Sequence, residues 1–197
     1  MPRFLILLIC LFALFISETA AVSQSGTQSE NRCNIGLDNA PTIRGLRLGQ
    51  NLDQVKAILP TLPKAGSKAT RDPGIGALES RVDVNTPTYL PAFEGIEQVN
   101  VLFLDDRLVQ INFHYDRKLR WQSEKEFTSR ISDSLKMPNV WEDGIGGSIL
   151  NCNGFFLRAE IGYNSPSQIL IKLTNLSAEI DHRIKARDER QRGSFKP

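Results

Sequence analysis

From Gln98 to Asp116 the sequence reads QVNVLFLDDRLVQINFHYD, two apolar runs on either side of Asp105 and Asp106. Side chains of a β-strand point alternately to opposite faces, and apolar and polar residues alternate here. One parity forms the predicted core face: Val99, Val101, Phe103, Val109, Ile111, Phe113 and Tyr115. The other parity is polar: Gln98, Asn100, Gln110, Asn112, His114 and Asp116. The stretch therefore predicts a β-hairpin at the centre of an antiparallel sheet.

The connection between the two strands follows from their pattern. Opposed residues of an antiparallel pair share a face, so we expect Val101 to lie opposite Val109 or Ile111. A regular two-residue turn would instead pair Val101 with Gln110. The pattern therefore predicts a three-residue or bulged connection at Asp105 and Asp106.

The N-terminus has the composition of a secretory signal peptide. Arg3 precedes thirteen apolar residues, 4–16, and small residues follow as far as Ala21. This pattern predicts cleavage after Ala21, and the apolar run is short for a membrane span of about 20 residues. We expect a periplasmic or secreted protein, with retention of residues 1–21 as an anchor as the alternative. Residues 22–32, rich in Ser and Gln, predict a disordered leader.

The charge balance argues against a nucleic-acid partner. The chain holds 24 Lys and Arg against 22 Asp and Glu, a net charge of +2. The excess is concentrated at the C-terminal end, where residues 182–197 hold six basic and two acidic side chains. We expect a solvated, frayed end there, with weak contact to an anionic membrane as the alternative.

Cys33 and Cys152 are the cysteines that remain after removal of the signal peptide. In an exported protein this pair predicts one disulfide bond. The alternative, a thiol nucleophile, would need a nearby base, and the chain has only His114 and His182. The spacing of cysteines and histidines fits no metal site, and we expect no metal ion or small-molecule cofactor.

A short helix is predicted to begin at Asn51. Asn51 and Gln54 have the spacing of a capping box, and Pro60 ends the helix. The start of this helix and the residues before it, Gly45 to Val55, read GLRLGQNLDQV. This segment resembles the opening of the SmpA/OmlA (BamE-like) outer-membrane assembly lipoproteins. It is also similar to small exported domains that share the β-lactamase-inhibitor-protein fold. The resemblance implies a helix laid on an antiparallel sheet and a role in holding other proteins.

Further elements are predicted on both sides of the central hairpin. A second capping box at Ser123 and Glu126 begins a helix that ends before Pro138. Asn153 and Gly154 predict a two-residue hairpin turn that places Cys152 opposite Phe155. The inward face of the strand after that turn would carry Phe155, Leu157, Ala159, Ile161 and Tyr163. Two more strands are expected at residues 78–84 and 169–173.

Three segments are predicted to be loops. Residues 61–76 and the glycine-rich residues 138–147 contain turn-forming residues and little apolar alternation. Residues 86–95 contain Tyr89, Leu90 and Phe93, which we expect to form a lid over the edge of the core or an exposed contact for a partner.

Together the predicted elements define an α+β fold. Their order is a helix followed by three strands, then a second helix followed by three strands. We expect two helices on one face of a continuous antiparallel sheet. This order suggests tandem helix-plus-three-strand units, as the inhibitor-protein resemblance also implies. Residues 33–176 form the predicted domain, and residues 177–197 form a charged C-terminal helix or tail.

The sequence contains no recognisable catalytic motif, so we expect no catalytic residue and no enzyme activity. The candidate binding surface is the polar face of the central hairpin, with leucines 102, 104 and 108 near its tip. It consists of five residues: Gln98, Asn100, Gln110, Asn112 and His114. Carboxamides beside a small apolar anchor suit protein binding. The alternative is a solvated face whose leucines are covered by a loop or by the terminal helix.

These features favour an exported, non-catalytic module that binds a protein partner or assists the cell envelope. A second hypothesis is a secreted protein inhibitor of a hydrolase, as the resemblance implies. A third is an enzyme of unrecognised type, with a site between the 61–76 loop and the sheet.

Overall fold

The structure, a computed structural model, describes residues 33–62 and 68–194. The predicted signal peptide, 1–21, and the predicted leader, 22–32, lie outside these residues. Within the described ranges, no helix combines the length and the apolar composition that crossing a membrane requires.

Eight strands form one antiparallel sheet, which confirms the predicted α+β class. The strands are β1 Lys68–Asp72, β2 Ala77–Asp83, β3 Ile96–Leu104, β4 Arg107–Tyr115, β5 Glu142–Gly144, β6 Gly147–Asn151, β7 Phe155–Glu160 and β8 Gln168–Leu173. The helices are α1 Leu52–Ile58, α2 Glu124–Leu135 and α3 Leu176–Ser194, with a short 3₁₀ turn at Leu37–Asn39. The strand order across the sheet is β1-β2-β3-β4-β8-β7-β6-β5.

The two halves of the described chain repeat one order of elements. Helix α1 is followed by β1 to β4, and α2 is followed by β5 to β8. The halves join where the last strand of each, β4 and β8, pair antiparallel. The sequence predicted three strands in each half, and each half has four. Both missed strands are outer strands of the sheet, which pair on one side only and lack the apolar alternation of a central strand.

The missed strands lie inside two segments that were predicted to be loops. Strand β1 occupies part of residues 61–76, and β5 and the start of β6 occupy residues 142–147. The glycines of the second segment serve turn geometry, because Gly146 and Gly147 have φ values of +77° and +127°. The lid at residues 86–95 is confirmed for Tyr89 and Phe93, which are buried, whereas Leu90 is exposed.

Both predicted helices begin at their expected capping residues. Asn51 Oδ1 accepts from the Gln54 backbone N–H and Gln54 Oε1 accepts from the Asn51 N–H, each at 2.9 Å. The box of α2 is incomplete, since Ser123 accepts from the Glu126 N–H while the Glu126 carboxylate accepts from Gln122. Buried residues of both helices, such as Val55 and Phe127, join the strand residues in the main hydrophobic core.

The central hairpin has a two-residue turn and a bulge. Val101 lies opposite Ile111, as predicted, because the register shifts between Leu102 and Phe103. The shift leaves Val109 as the extra residue of β4. The predicted parity is therefore wrong at the tip: Leu108 enters the main core, whereas Val109 packs on the opposite face.

That opposite face is covered near the tip by α3. Leu104, Val109 and Leu176 form a second, small apolar cluster, with Ile180 packed against it. The alternative that the terminal helix covers the leucines is confirmed for Leu104. The C-terminal helix itself is confirmed, but the expectation of a frayed end is wrong for its described part, which side-chain contacts hold to the sheet.

Arginines of α3 make those contacts with the turns of two hairpins. Arg183 donates to the Asp105 carboxylate at 2.6 Å and to the carbonyl of Ile75 at 3.1 Å. Arg187 donates to the Asp72 carboxylate at 2.8 Å.

The predicted disulfide between Cys33 and Cys152 is present. The turn at Asn153 and Gly154 also has the predicted register, in which the Cys152 N–H donates to the Phe155 carbonyl and Leu150 lies opposite Leu157. The inward placement of Tyr163 is wrong, because β7 ends at Glu160 and the following turn leaves Tyr163 89% exposed.

Candidate functional site

The predicted binding residues lie on the face of the sheet that also carries α3, which we call the polar face. Across the strands, His114 is opposite Gln98 on β3 and Gln168 on β8. Asn112 is opposite Asn100 on β3. All five candidate residues are half-buried, so their side chains are partly fixed and still reachable.

Three of the candidates form a chain of hydrogen bonds along β3 and β4. The Gln98 side chain donates to Asn100 Oδ1 at 2.6 Å. Since Asn100 Oδ1 accepts that bond, its Nδ2 is the donor to His114 Nε2, 3.1 Å away. A neutral His114 then carries its proton on Nδ1. This order leaves the Gln98 carbonyl as an acceptor and His114 Nδ1 as a donor.

A second chain runs from β4 across β8 to β7. Asn112 Nδ2 donates to Gln168 Oε1 at 2.9 Å, and Gln168 Nε2 donates to the Glu160 carboxylate at 2.7 Å. Asn112 Oδ1 is buried and has no hydrogen-bond partner among the described residues. A buried acceptor without a donor costs about 1–3 kcal/mol. Because this oxygen is shielded from the surface, it is an internal feature of the second chain and not a contact point for a partner.

Gln110 is separate from both chains. It lies opposite Leu102 and Lys172, closer to α3. The structure therefore brings four of the five candidates together, and it places Gln110 at the margin of the surface.

A groove of about 300 Å³ opens over the first chain. Three of the predicted binding residues, Gln98, Asn100 and His114, form its floor. Six further residues line it: Arg81, Glu97, Arg117, Ser165, Pro166 and Gln168. Arg117 and Glu97 form an ion pair at 3.6 Å. The groove thus has both charge signs around a neutral, carboxamide-rich floor.

The six additional residues come from other parts of the chain, and the sequence did not single them out. Gln168 reaches the groove through the pairing of β8 with β4, which joins residues more than fifty positions apart. The sequence predicted this strand from Ile169, Ile171 and Leu173, but nothing in it specified the neighbouring strand.

His114 has a lowered pKa in this setting. Burial disfavours its charged form, and the nearby Arg81 lowers the pKa further. Glu97 and Glu160 oppose these effects without reversing them. His114 is therefore a neutral hydrogen-bonding group at neutral pH.

We expect the variant His114→Gln to reduce the dependence of stability on pH. Because the pKa of His114 in the folded protein lies below its ordinary value of 6.5, the unfolded chain takes up the proton more readily, and folding loses free energy as the pH falls below that value. Gln takes up no proton, so the fall in unfolding free energy between about pH 7.5 and about pH 5 should be smaller. Urea unfolding at both pH values measures it.

The control for this experiment is His182→Gln, on the exposed surface of α3. If the unfolding free energy decreased by the same amount between the two pH values in the wild type and in His114→Gln, the prediction would be contradicted.

Within ranges 33–62 and 68–194, no group of three or more His, Cys, Asp or Glu side chains is placed to hold a metal ion. The paired Asp105 and Asp106 have structural partners: Asp105 binds Arg183, and Asp106 accepts from the N–H of Leu52 at the start of α1, at 3.3 Å.

The fold and the site define an α+β protein whose antiparallel sheet has two halves and carries a preordered groove on its polar face. No protein-family model matches the chain, and neither a curated protein nor a solved structure matches it.

Proposed function

We propose that this chain is an exported, non-catalytic module that binds a protein partner through the groove end of its polar face. The single observation that carries the proposal is the pair of hydrogen-bond chains, Gln98 to His114 and Asn112 to Glu160. They hold carboxamides in one orientation before any partner arrives, which lowers the entropic cost of association.

The chemistry of the groove supports binding over reaction. Its floor consists of carboxamides and a neutral imidazole, and its ion pair is satisfied within the wall. Such groups donate and accept hydrogen bonds to a peptide backbone or to polar side chains, as the polar part of a protein interface does. The disulfide of Cys33 and Cys152 supports a location outside the cytoplasm.

A second candidate function is inhibition of a hydrolase, which is the role that the sequence resemblance implies. It is supported by the protruding turns beside the groove, where Ile145 and Tyr163 are almost fully exposed. This function predicts a one-to-one complex with an enzyme and loss of that enzyme's activity.

The test is the double variant Asn112→Arg with His114→Glu. It breaks both hydrogen-bond chains and places one charge in the groove, at position 114, and a second on the same face of β4, at position 112. Capture of envelope proteins by the tagged full chain should therefore be abolished. Affinity capture from a native envelope extract, followed by mass spectrometry, measures the result. Capture equal to that of the wild type would contradict binding by this face.

The matched control is Lys125→Glu, a charge reversal on an exposed residue of α2. It should capture the same proteins as the wild type. Thermal unfolding of both variants distinguishes loss of binding from loss of the fold, and Asn100→Ala, a milder change in the first chain, supplies a second binding variant that creates no buried charge.

A further inference from the structure

Two apolar side chains project from neighbouring turns at the groove end of the sheet. Ile145, between β5 and β6, is 97% exposed, and Tyr163, between β7 and β8, is 89% exposed. Among residues 33–62 and 68–194, the next most exposed large apolar residue, Leu90, is 46% exposed. Single exposed apolar residues are common on protein surfaces. Here two almost fully exposed apolar side chains lie on adjoining turns, so they can contact the same partner.

The topology fixes the two turns side by side. Strands β6 and β7 pair antiparallel, with Ser148 opposite Ala159, so the start of β6 adjoins the end of β7. Gly147 lies so close to this strand that a Cβ atom there would collide with the carbonyl oxygen of Ala159. Gly162 is similarly close to the carbonyl oxygen of Ser165. Both turns are therefore held tightly at their bases while Ile145 and Tyr163 point away from the core.

The same turns are continuous with the groove. Ser165 and Pro166, which follow Tyr163, line its wall together with Gln168. A partner that covers the groove would meet Tyr163 at the rim. Ile145 lies on the adjoining turn.

The charge of these turns differs from that of the chain as a whole. Residues 142–147 and 160–167 contain three carboxylates, Glu142, Asp143 and Glu160, and no Lys or Arg. The whole chain carries a net charge of +2. The two turns are therefore acidic, with Asp143 exposed, whereas the adjoining groove also carries Arg81 and Arg117. At the turns, electrostatic complementarity favours a basic partner surface.

We propose that Ile145 and Tyr163 are the apolar anchors that dock this end of the sheet onto a partner protein whose apolar pocket is rimmed by Lys and Arg. The proposal rests on the proposed function and specifies the chemistry of the partner. Buried aliphatic and aromatic anchors carry much of the energy of protein interfaces. The three carboxylates disfavour an anionic membrane surface, and they would oppose one another in a symmetric contact between two copies of this chain.

The test compares the full chain with the variants Ile145→Ser plus Tyr163→Ser and Asp143→Lys. The principal protein captured by the wild type is identified and purified, and calorimetric titration measures its affinity. The double serine variant should bind at least about tenfold more weakly. Asp143→Lys should also weaken binding, and added salt should reduce the difference between Asp143→Lys and the wild type. The control is Leu37→Ser, an exposed leucine beside Gly154 at the opposite end of the sheet.

The outcomes separate this inference from the proposed function. Unchanged affinity of the double serine variant, with capture still abolished by Asn112→Arg and His114→Glu, would overturn the anchors alone. If neither the double serine variant nor Asn112→Arg with His114→Glu loses capture, both the anchors and the proposed function are overturned. The same holds if the wild type captures no protein. Binding to vesicles of phosphatidylserine and phosphatidylcholine that the serine changes abolish would assign the turns to a membrane. A dimer in light scattering that the same changes dissociate would assign them to self-association.

Discussion

Replacing both Cys33 and Cys152 with Ser is expected to lower the free energy of unfolding by up to about 4–5 kcal/mol. The disulfide joins residues 119 positions apart, and a closed loop of that length removes much of the conformational freedom of the unfolded chain. It also connects the segment before α1 with the turn between β6 and β7, so one covalent bond ties the N-terminal segment to the second half of the sheet. Urea unfolding of the oxidised protein and of the double variant measures the difference.

The value is an upper limit, because other contacts hold the same segment. The Asn153 N–H donates to the Ile35 carbonyl at 3.0 Å, and Gly36 forms a parallel bridge with Asn153. The control is wild-type protein treated with a reductant, which should unfold at about the same urea concentration as the double variant. Equal midpoints for the oxidised protein and the double variant would contradict a stabilising role for the bond.

The central hairpin shows how far periodicity can predict this fold. Alternation correctly assigned Val99, Val101, Ile111 and Phe113 to the core face. It failed within two residues of the bulge, where Leu108 and Val109 exchange faces. A bulge adds one residue to one strand and reverses the parity beyond it. The pattern indicated that an irregular connection was needed but could not locate the extra residue.

The outer strands were missed for another reason. Periodicity indicates burial on one face of an element, and the sequences of β1 and β5 contain too few apolar residues to show a period. The sequence of β1 is KATRD and that of β5 is EDG. Their strand geometry depends on hydrogen bonds to β2 and β6, which are set by the tertiary fold.

Only part of the groove could be predicted from the sequence. Gln98, Asn100 and His114 are neighbours within one hairpin, so local alternation places them on one face. Gln168 enters through the pairing of β4 with β8, a long-range contact with no local signal, and Glu160 supports Gln168 from β7. The sequence therefore indicated the floor of the site and missed one wall.

The turn at Asp105 and Asp106 has a role that only the tertiary structure reveals. Both residues adopt the left-handed conformation, with φ values of +47° and +63°, where Asn and Gly are the usual choices. The two carboxylates serve helices on either side: Asp106 accepts from the start of α1, and Asp105 binds Arg183 of α3. The sequence predicted the turn, and the two helix contacts account for its acidic residues.

Helix α3 tests which kind of contact holds the C-terminal segment. Its ion pair between Arg183 and Asp105 is largely exposed on the Asp105 side, at 63%, and such pairs contribute about 0–1 kcal/mol. Burial of a Leu or Val side chain contributes about 1.5–3 kcal/mol. The apolar cluster of Leu104, Val109 and Leu176 should therefore outweigh the arginine contact, and Arg183→Ala serves as the control with a small expected effect.

A chain that ends at Asn175 is accordingly expected to lose several kcal/mol of unfolding free energy and to self-associate. Without α3, Leu104 and Val109, now 6% and 5% exposed, would face water beside the turn of the central hairpin. Full exposure of these two side chains, together with the lost burial of Leu176, corresponds to about 4.5–9 kcal/mol, which is an upper estimate. Urea unfolding measures the stability, and light scattering over a range of protein concentrations measures association.

The groove end of the polar face lies at the far ends of β3 and β4, so the truncated chain should retain partner capture at temperatures where it is folded. A truncated chain as stable and as monomeric as the full chain would show that α3 does not cover this cluster in solution, whereas a large loss of stability in Arg183→Ala would show that the arginine contact is the stronger one.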